Sequence, residues 1–280
     1  MRILVLGGSE FIGHAIVERL RAGHDVTVLN RGRRHIDGVG ALIADRNDPD
    51  AVRAALRSHT FDAVVDVSAV DPTWVRTVRE VLSPDRYVYI SSAAVYDSYT
   101  PPPDEDAPAS GNASWGQYGR DNVACERLLD AGRSVIFRPP YVYGPRNNVP
   151  REHALWAAMA SGSEIRVPAA GHARVQFCSV AWLASAVAAA CTGDIPPGVY
   201  NSAGADAYDF VSYVELLAAV GGYSPRIVPV PDASVPTRSY FPFRDEDLRV
   251  DTAKLSRVFA VPAPTLREGL AATFAAWQRP

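Results

Sequence analysis

The chain has 280 residues, with 28 basic and 31 acidic side chains and a formal net charge of −3. This balance gives no global support to a nucleic-acid or anionic-membrane surface, and 48 % hydrophobic residues are enough for a sizeable core without disulfide or metal staples. No run approaches the ~18 apolar residues of a membrane helix, and the apolar run 3–6 is too short for the ~7–15-residue core of a signal peptide, so a soluble, cytoplasmic protein is expected. In chain order, residues 2–6 read as a strand ending in Gly7-Gly8. Ile12, Ala15, Ile16 and Leu20 then recur at helical spacing and predict a helix over 11–22, with Gly23 at its C-cap. Strands are predicted over 26–29, 41–44, 63–67 and 87–90, with helices over 50–58 and 73–82. Strands apolar on both faces, alternating with helices, predict a parallel sheet covered by helices. Over 97–117, Pro101-Pro102-Pro103, Asp104-Glu105-Asp106 and Ser110-Gly111-Asn112 predict a long loop, of a kind often functional. A helix over 118–129 and a strand over 134–137 follow. Beyond Gly144 prolines are scattered and short helices are predicted over 153–160, 181–190, 210–220 and 266–277.

Cys125, Cys178 and Cys191 are odd in number and make no CxxC pair. The six histidines, His172 among them, are scattered and form no HExxH pair. No disulfide framework and no metal site are expected.

Gly7-Gly8-Ser9-Glu10-Phe11-Ile12-Gly13 stands between the first strand and the first helix. Glycines there let the backbone turn tightly and approach a pyrophosphate, and the helix N-terminus supplies free N–H groups and a positive dipole end. Gly7, Ser9, Glu10, Phe11, Ile12 and Gly13 are therefore candidate cofactor residues. The second strand ends at Asn30-Arg31, followed by Gly32-Arg33-Arg34. An acidic residue at this point would bind the ribose hydroxyls of NAD; Asn30 repels no 2′-phosphate, and Arg31, Arg33 and Arg34 can pair with one. NADP(H) is the expected cofactor, with NAD(H) as the alternative, although three arginines in a loop also suit a solvated surface.

These residues resemble the extended short-chain dehydrogenase/reductase family, which includes nucleotide-sugar epimerases and dehydratases. The Gly7–Gly13 turn is similar to the family's GxxGxxG, with Glu10 in place of the middle glycine. By the same resemblance Asp45 meets the adenine, and the segment 62–69, with Ser68, Ala69 and the adjoining Val70, lies beside the adenosine. The segment 89–96 is similar to SSxxVYG, which puts Ser91 near the cofactor and Ser92 in the catalytic Ser/Thr position. Tyr118 takes the catalytic tyrosine position. The segment 138–146 resembles RPxxVYGPR, so Pro139, Tyr141 and Val142 are expected by the nicotinamide, and 198–201 resembles the family's GVYN strand. The implied architecture is α/β: a Rossmann-type doubly wound parallel sheet over 1–145 with about 173–204, and a smaller substrate-binding domain over about 146–172 and 205–280. The missing middle glycine and the Asn30-Arg31-Gly32 tripeptide resemble the atypical branch. Many relatives form dimers, so a homodimer is implied by analogy.

The departures from the pattern carry information. The family reads YxxxK, but here Tyr118 is followed at that spacing by Asn122, and the single lysine of the chain is Lys254. Asn122 can hydrogen-bond a ribose hydroxyl but supplies no cation. A tyrosine without a neighbouring cation titrates near pH ~10, which costs oxidation, needing a phenolate base, more than reduction, needing a phenol acid. Ala93 and Ala94 replace the dehydratases' acidic pair, and Val175 replaces the arginine that reaches a sugar-nucleotide pyrophosphate. An NADPH-dependent ketoreductase acting on a small-molecule or natural-product carbonyl is therefore expected. The alternatives are a redox-neutral, epimerase- or dehydratase-like enzyme and a non-catalytic or RNA-binding member. Tyr96, Trp115 and Tyr143 suit either stacking on a substrate or core packing. Arg174, with Arg151 and His153, suits either an anionic substrate or solvated surface. Cys125 reads as a small buried apolar side chain.

Overall fold

A computed structural model describes residues 1–111, 113–169, 173–231 and 234–277. Asn112 and His172 lie outside the described residues. The elements run β1 (Arg2–Leu6), α1 (Phe11–Leu20), β2 (Asp25–Asn30), β3 (Gly40–Ile43), α2 (Pro49–Leu56), β4 (Ala63–Asp66), α3 (Pro72–Val81) and β5 (Arg86–Ile90). After the long loop come α4 (Gly116–Glu126), β6 (Ser134–Arg138), β7 (Tyr141–Tyr143), α5 (Glu152–Ala160), β8 (Glu164–Pro168), β9 (Val175–Ser179) and α6 (Val180–Thr192). The chain continues with β10 (Gly198–Asn201), β11 (Ala207–Tyr208), α7 (Phe210–Gly221), β12 (Arg226–Val230), α8 (Ala253–Val258) and α9 (Leu266–Trp277).

Seven strands form one parallel sheet in the order β10-β6-β5-β4-β1-β2-β3. The order reverses between β1 and β4, and a crevice at the carboxyl ends of those strands is where an α/β sheet of this kind binds ligands. Alternation along β1 explains why both faces are covered. Ile3 and Val5 pack with Ile16 and Leu20 of α1 and Leu183 and Val187 of α6. Leu4 and Leu6 pack on the other face with Leu56 of α2, Val75 and Val78 of α3, and Cys125 of α4. All four residues of β4 and all five of β6 are buried. α2 and α3 each begin with an aspartate cap followed by proline at the first helical position: Asp48 accepts from the N–H groups of Asp50 and Ala51, and Asp71 from that of Thr73.

The C-terminal part, together with Ala93, Val95, Tyr96, Tyr99 and Val123, builds a further core, in which Trp156, Tyr213, Phe243 and Leu270 are fully buried. Its strands form two small sheets, β11-β9-β7 and β12-β8. The sequence predicted only short helices here, because proline scatter hides strands paired across long separations; β8 pairs with β12 in register from Glu164↔Arg226 to Pro168↔Val230. Two local expectations are corrected. α1 ends at Leu20 rather than at 22, with Arg21 rather than Gly23 as its C-cap, in right-handed conformation and donating its N–H to the Val17 carbonyl. α4 begins two residues before Tyr118 and ends at Glu126. Among the described residues no helix is long and apolar enough to cross a membrane, and no cluster of metal-ligating side chains occurs.

Candidate active site and cofactor cleft

A cleft of about 580 Å³ opens at the β1/β4 switch point, with Gly7, Ser9, Glu10, Phe11, Ile12 and Gly13 on one side. Asn30, Arg31, Arg33, Arg34, Asp45 and Ser68 complete the part that the sequence singled out. The glycines are sterically obligatory. Gly7 has φ +85°, and a Cβ on it would stand 2.6 Å from the Ser68 Cβ. A Cβ on Gly13 would collide with the Gly7 carbonyl oxygen. These close approaches leave the α1 N-terminus open to a phosphate, so the residues present fit a dinucleotide. Asn30 shapes the arginine loop: its Oδ1 accepts from the Gly32 N–H at 2.7 Å and its Nδ2 donates to the Arg34 carbonyl at 3.4 Å. Ala69 is buried and Val70 exposed, and neither lines the cleft.

Sequence reasoning missed the floor of this cleft. Arg46 and Trp74 line it, with the Arg46 guanidinium 5.1 Å from the Trp74 ring centre. Arg46 makes a buried, two-pronged ion pair with Asp66 at 2.6 and 2.8 Å and also donates to the Ser68 hydroxyl. Burial by itself would depress the arginine, but the Asp66 carboxylate overrides it and raises its pKa. Tyr87 donates to Asp66 Oδ2 at 2.9 Å, and burial first, then Asp66, push this phenol well above its usual range. The available signal was Asp66 itself, an acidic residue at the end of an otherwise apolar strand.

The catalytic candidates stand outside this cleft's lining. Ser92 follows β5 and caps a one-turn 3-10 helix, Ala93–Val95, its Oγ accepting from the Ala94 N–H at 3.2 Å. Tyr118 lies near the start of α4 and is 44 % exposed. Gly119 brings their two elements together: a Cβ there would lie 2.5 Å from the Ala94 carbonyl, so only glycine lets α4 lie against the turn that follows Ser92. Gly111, at φ +92°, packs over the same point, where a Cβ would meet the Arg120 nitrogen.

Several expected contacts are redirected. Asn122 is 2 % exposed; its Nδ2 donates to the Tyr118 carbonyl at 2.9 Å, and its Oδ1 lies 2.9 Å from the Tyr89 hydroxyl, whose one proton it shares with the Ala69 carbonyl, also at 2.9 Å. These bonds turn it into the sheet instead of toward a ribose. The Ser91 hydroxyl donates to Glu126 Oε1 at 2.5 Å rather than facing a cofactor. Glu126 in turn makes a buried ion pair with Arg138 at 2.6 Å. Tyr96 is fully buried, with Arg138 4.9 Å from its ring centre and its hydroxyl on Asn201 Oδ1 at 2.7 Å; burial pushes it up to about 12. Tyr143 is buried and packs edge-on against Phe177. Both rings are taken up mainly by packing within the protein. Tyr141 and Val142 are buried as well, and Tyr141 sits edge-on to Phe243 at 4.7 Å with its hydroxyl accepting from the Arg244 N–H. Pro139 is held through its carbonyl, which accepts from the Ala93 N–H. Trp115 lies 6.2 Å from Tyr141, with Arg244 4.9 Å from its ring centre. Arg174 donates to the Ala207 carbonyl at 2.9 Å, in the β11–β9 region. The long loop is anchored through Glu105: its Oε1 accepts from the Asn201 N–H at 2.8 Å, and Asn201 Nδ2 donates to the Pro103 carbonyl.

A doubly wound parallel sheet with a glycine-lined crevice at its switch point defines a dinucleotide-binding α/β protein. Residues 3–203 match the model of the NAD dependent epimerase/dehydratase family, and the chain belongs to that family. Over 96 % of the chain it is 28 % identical to the Arabidopsis thaliana chloroplast stem-loop binding protein of 41 kDa b, covering 77 % of that protein. Over 47 % of the chain it is 33 % identical to the 2′-dehydrokanamycin reductase of Streptomyces kanamyceticus, covering 38 % of that enzyme. The structure is similar to a Thermus thermophilus UDP-glucose 4-epimerase in complex with NAD, with TM-score 0.81, 22 % identity and coverage of 100 % and 99 % of the two chains.

Proposed function

We propose that this protein is an NADP(H)-dependent reductase that transfers hydride to a carbonyl of a small-molecule or natural-product substrate. The observation that carries the reading is the position one turn after Tyr118, where Asn122 is buried and both its polar groups are engaged. No ammonium stands there, and the single lysine lies instead against the Tyr200 ring of β10. A phenol in this setting serves as a proton donor rather than as a base. Ser92 Oγ would hydrogen-bond the substrate carbonyl oxygen, and Tyr118 would give that oxygen its proton as hydride reaches the carbon. The nicotinamide supplies the hydride. Gly7 and Gly13 would admit its pyrophosphate to the α1 N-terminus, and Arg31, Arg33 and Arg34 would pair with a 2′-phosphate. The similarity to a 2′-dehydrokanamycin reductase over about half the chain supports reduction. On this reading the substrate would sit between the sheet of 1–145 with 173–204 and the remaining C-terminal segments.

The test is NADPH and NADH oxidation measured against a panel of ketones, with Tyr118→Phe alongside. Turnover with NADPH that Tyr118→Phe abolishes supports the assignment; cofactor binding with no carbonyl reduced by any member of the panel overturns it. The family match favours a redox-neutral epimerase as the second reading. That chemistry needs a base beside Tyr118, and Asp121, the nearest acid in sequence, accepts from Gln117 Nε2 at 2.6 Å. An epimerase would convert substrate without net consumption of NADPH.

A further inference from the structure

The residue that replaces the middle glycine of the turn reaches across the cofactor cleft. Glu10 is the N-cap of α1, in extended conformation, yet its side chain caps no helical N–H. Its Oε1 stands 3.4 Å from Arg34 Nε, and its Oε2 accepts from Asn148 Nδ2 at 3.2 Å. Glu10, Arg34 and Asn148 all line the same cleft. A neighbouring contact joins the same two segments: Arg146, at φ +65°, holds His14 Nε2 at 2.8 Å. The carboxylate of Glu10 therefore lies beside the helix end that would take the pyrophosphate, and it engages an arginine that would take a 2′-phosphate.

We propose that Glu10 is a cofactor-specificity residue: its carboxylate is an internal surrogate for the 2′-phosphate, which must displace it from Arg34 before NADPH is fully bound. This rests on the assignment of Arg34 to the 2′-phosphate. Two effects separate. The negative charge beside the α1 N-terminus opposes any diphosphate and so weakens NADH and NADPH alike. The occupation of Arg34 weakens NADPH alone, because NADH brings no group that competes for the guanidinium. The pair is exposed, at 59 % for Arg34 and 47 % for Glu10, so the competition is modest, on the order of severalfold. NADPH would then bind only moderately and leave readily, which suits an enzyme that exchanges its cofactor at every turnover.

The experiment is fluorescence titration of NADPH and NADH on wild type, Glu10→Gln, Arg34→Ala and the double variant. Glu10→Gln keeps the size and the hydrogen bond from Asn148 while removing the charge. It should tighten NADPH about fivefold and NADH less than about twofold. Arg34→Ala should lower the NADPH-to-NADH affinity ratio about tenfold. In the Arg34→Ala background, Glu10→Gln should no longer alter that ratio. If Arg34→Ala lowers the ratio but Glu10→Gln tightens both cofactors equally, or keeps its selectivity without Arg34, the competition is refuted while the 2′-phosphate assignment stands. If Arg34→Ala leaves the ratio unchanged, the assignment and the proposal fall together.

Discussion

Two ion pairs at the carboxyl edge of the sheet are built from the same chemistry and used differently. At the glycine-lined cleft, Arg34 and Glu10 are half exposed across an open space. At the end of β6, Arg138 and Glu126 are only 7 % and 9 % exposed and close to 2.6 Å; the Ser91 hydroxyl donates to Glu126, and Arg138 donates to the Glu105 carbonyl. An exposed pair is cheap to separate and can be exchanged for a ligand. A buried pair is costly to open, so it holds geometry instead. This one ties α4, which carries Tyr118, to β6 and to the long loop.

The largest effect is expected at the buried pair. Glu126→Ala leaves the Arg138 cation buried and unpaired and should cost about 3–5 kcal/mol in a urea unfolding series; a loss below about 1 kcal/mol would place the pair in the same class as the exposed one. Tyr118→Phe comes next. Its removal from the proton-transfer step should lower kcat at least about 100-fold with little change in cofactor affinity, and full retained activity would show that the proton comes from elsewhere. A smaller effect sharpens the exposed side: raising ionic strength from about 0.05 to 0.3 M should weaken NADPH more than NADH, because the arginine loop is solvated and screened. Equal weakening would remove the arginines from the 2′-phosphate site.

The smallest effect is a control at a helix cap. Asp209 caps α7, accepting from the Ser212 N–H at 2.8 Å and from its hydroxyl, and these bonds, the backbone one first, hold its carboxyl below the usual 3.8. A depressed folded-state pKa means stability that is present above the unfolded value and is lost as pH falls through the folded one. Asp209→Ala should therefore cost about 1 kcal/mol at neutral pH, with the difference from wild type shrinking as pH drops below about 4. A difference constant down to about pH 2 would show that the cap works without its charge.

The nucleotide half was legible in the sequence because its determinants are local. A glycine turn, a strand end and an arginine run each act within a few residues, and the structure gathers Gly7, Gly13, Asn30 and Arg34 around one cleft. Arg46 was not legible, because its significance depends on Asp66, twenty residues away at the end of β4. The aromatics around the catalytic end were ambiguous for the same reason. Their proximity to the motif was visible, but whether Tyr96 and Tyr143 faced a substrate or the core depended on Asn201, Arg138 and Phe177.

By itself the sequence determined the parallel sheet, the place of the dinucleotide turn, and the absence of a lysine after Tyr118. Strand–helix periodicity, glycine sterics and residue identity do not depend on distant partners. Only the tertiary structure decided what each polar group is free to do. Asn122 reads as a ribose ligand until Tyr89 and the Tyr118 carbonyl engage it, and Glu10 reads as a missing glycine until Arg34 and Asn148 are seen to hold it. A hydrogen-bonding group engaged by a neighbour from another element has little capacity left for a ligand, and those neighbours are brought together only by the fold.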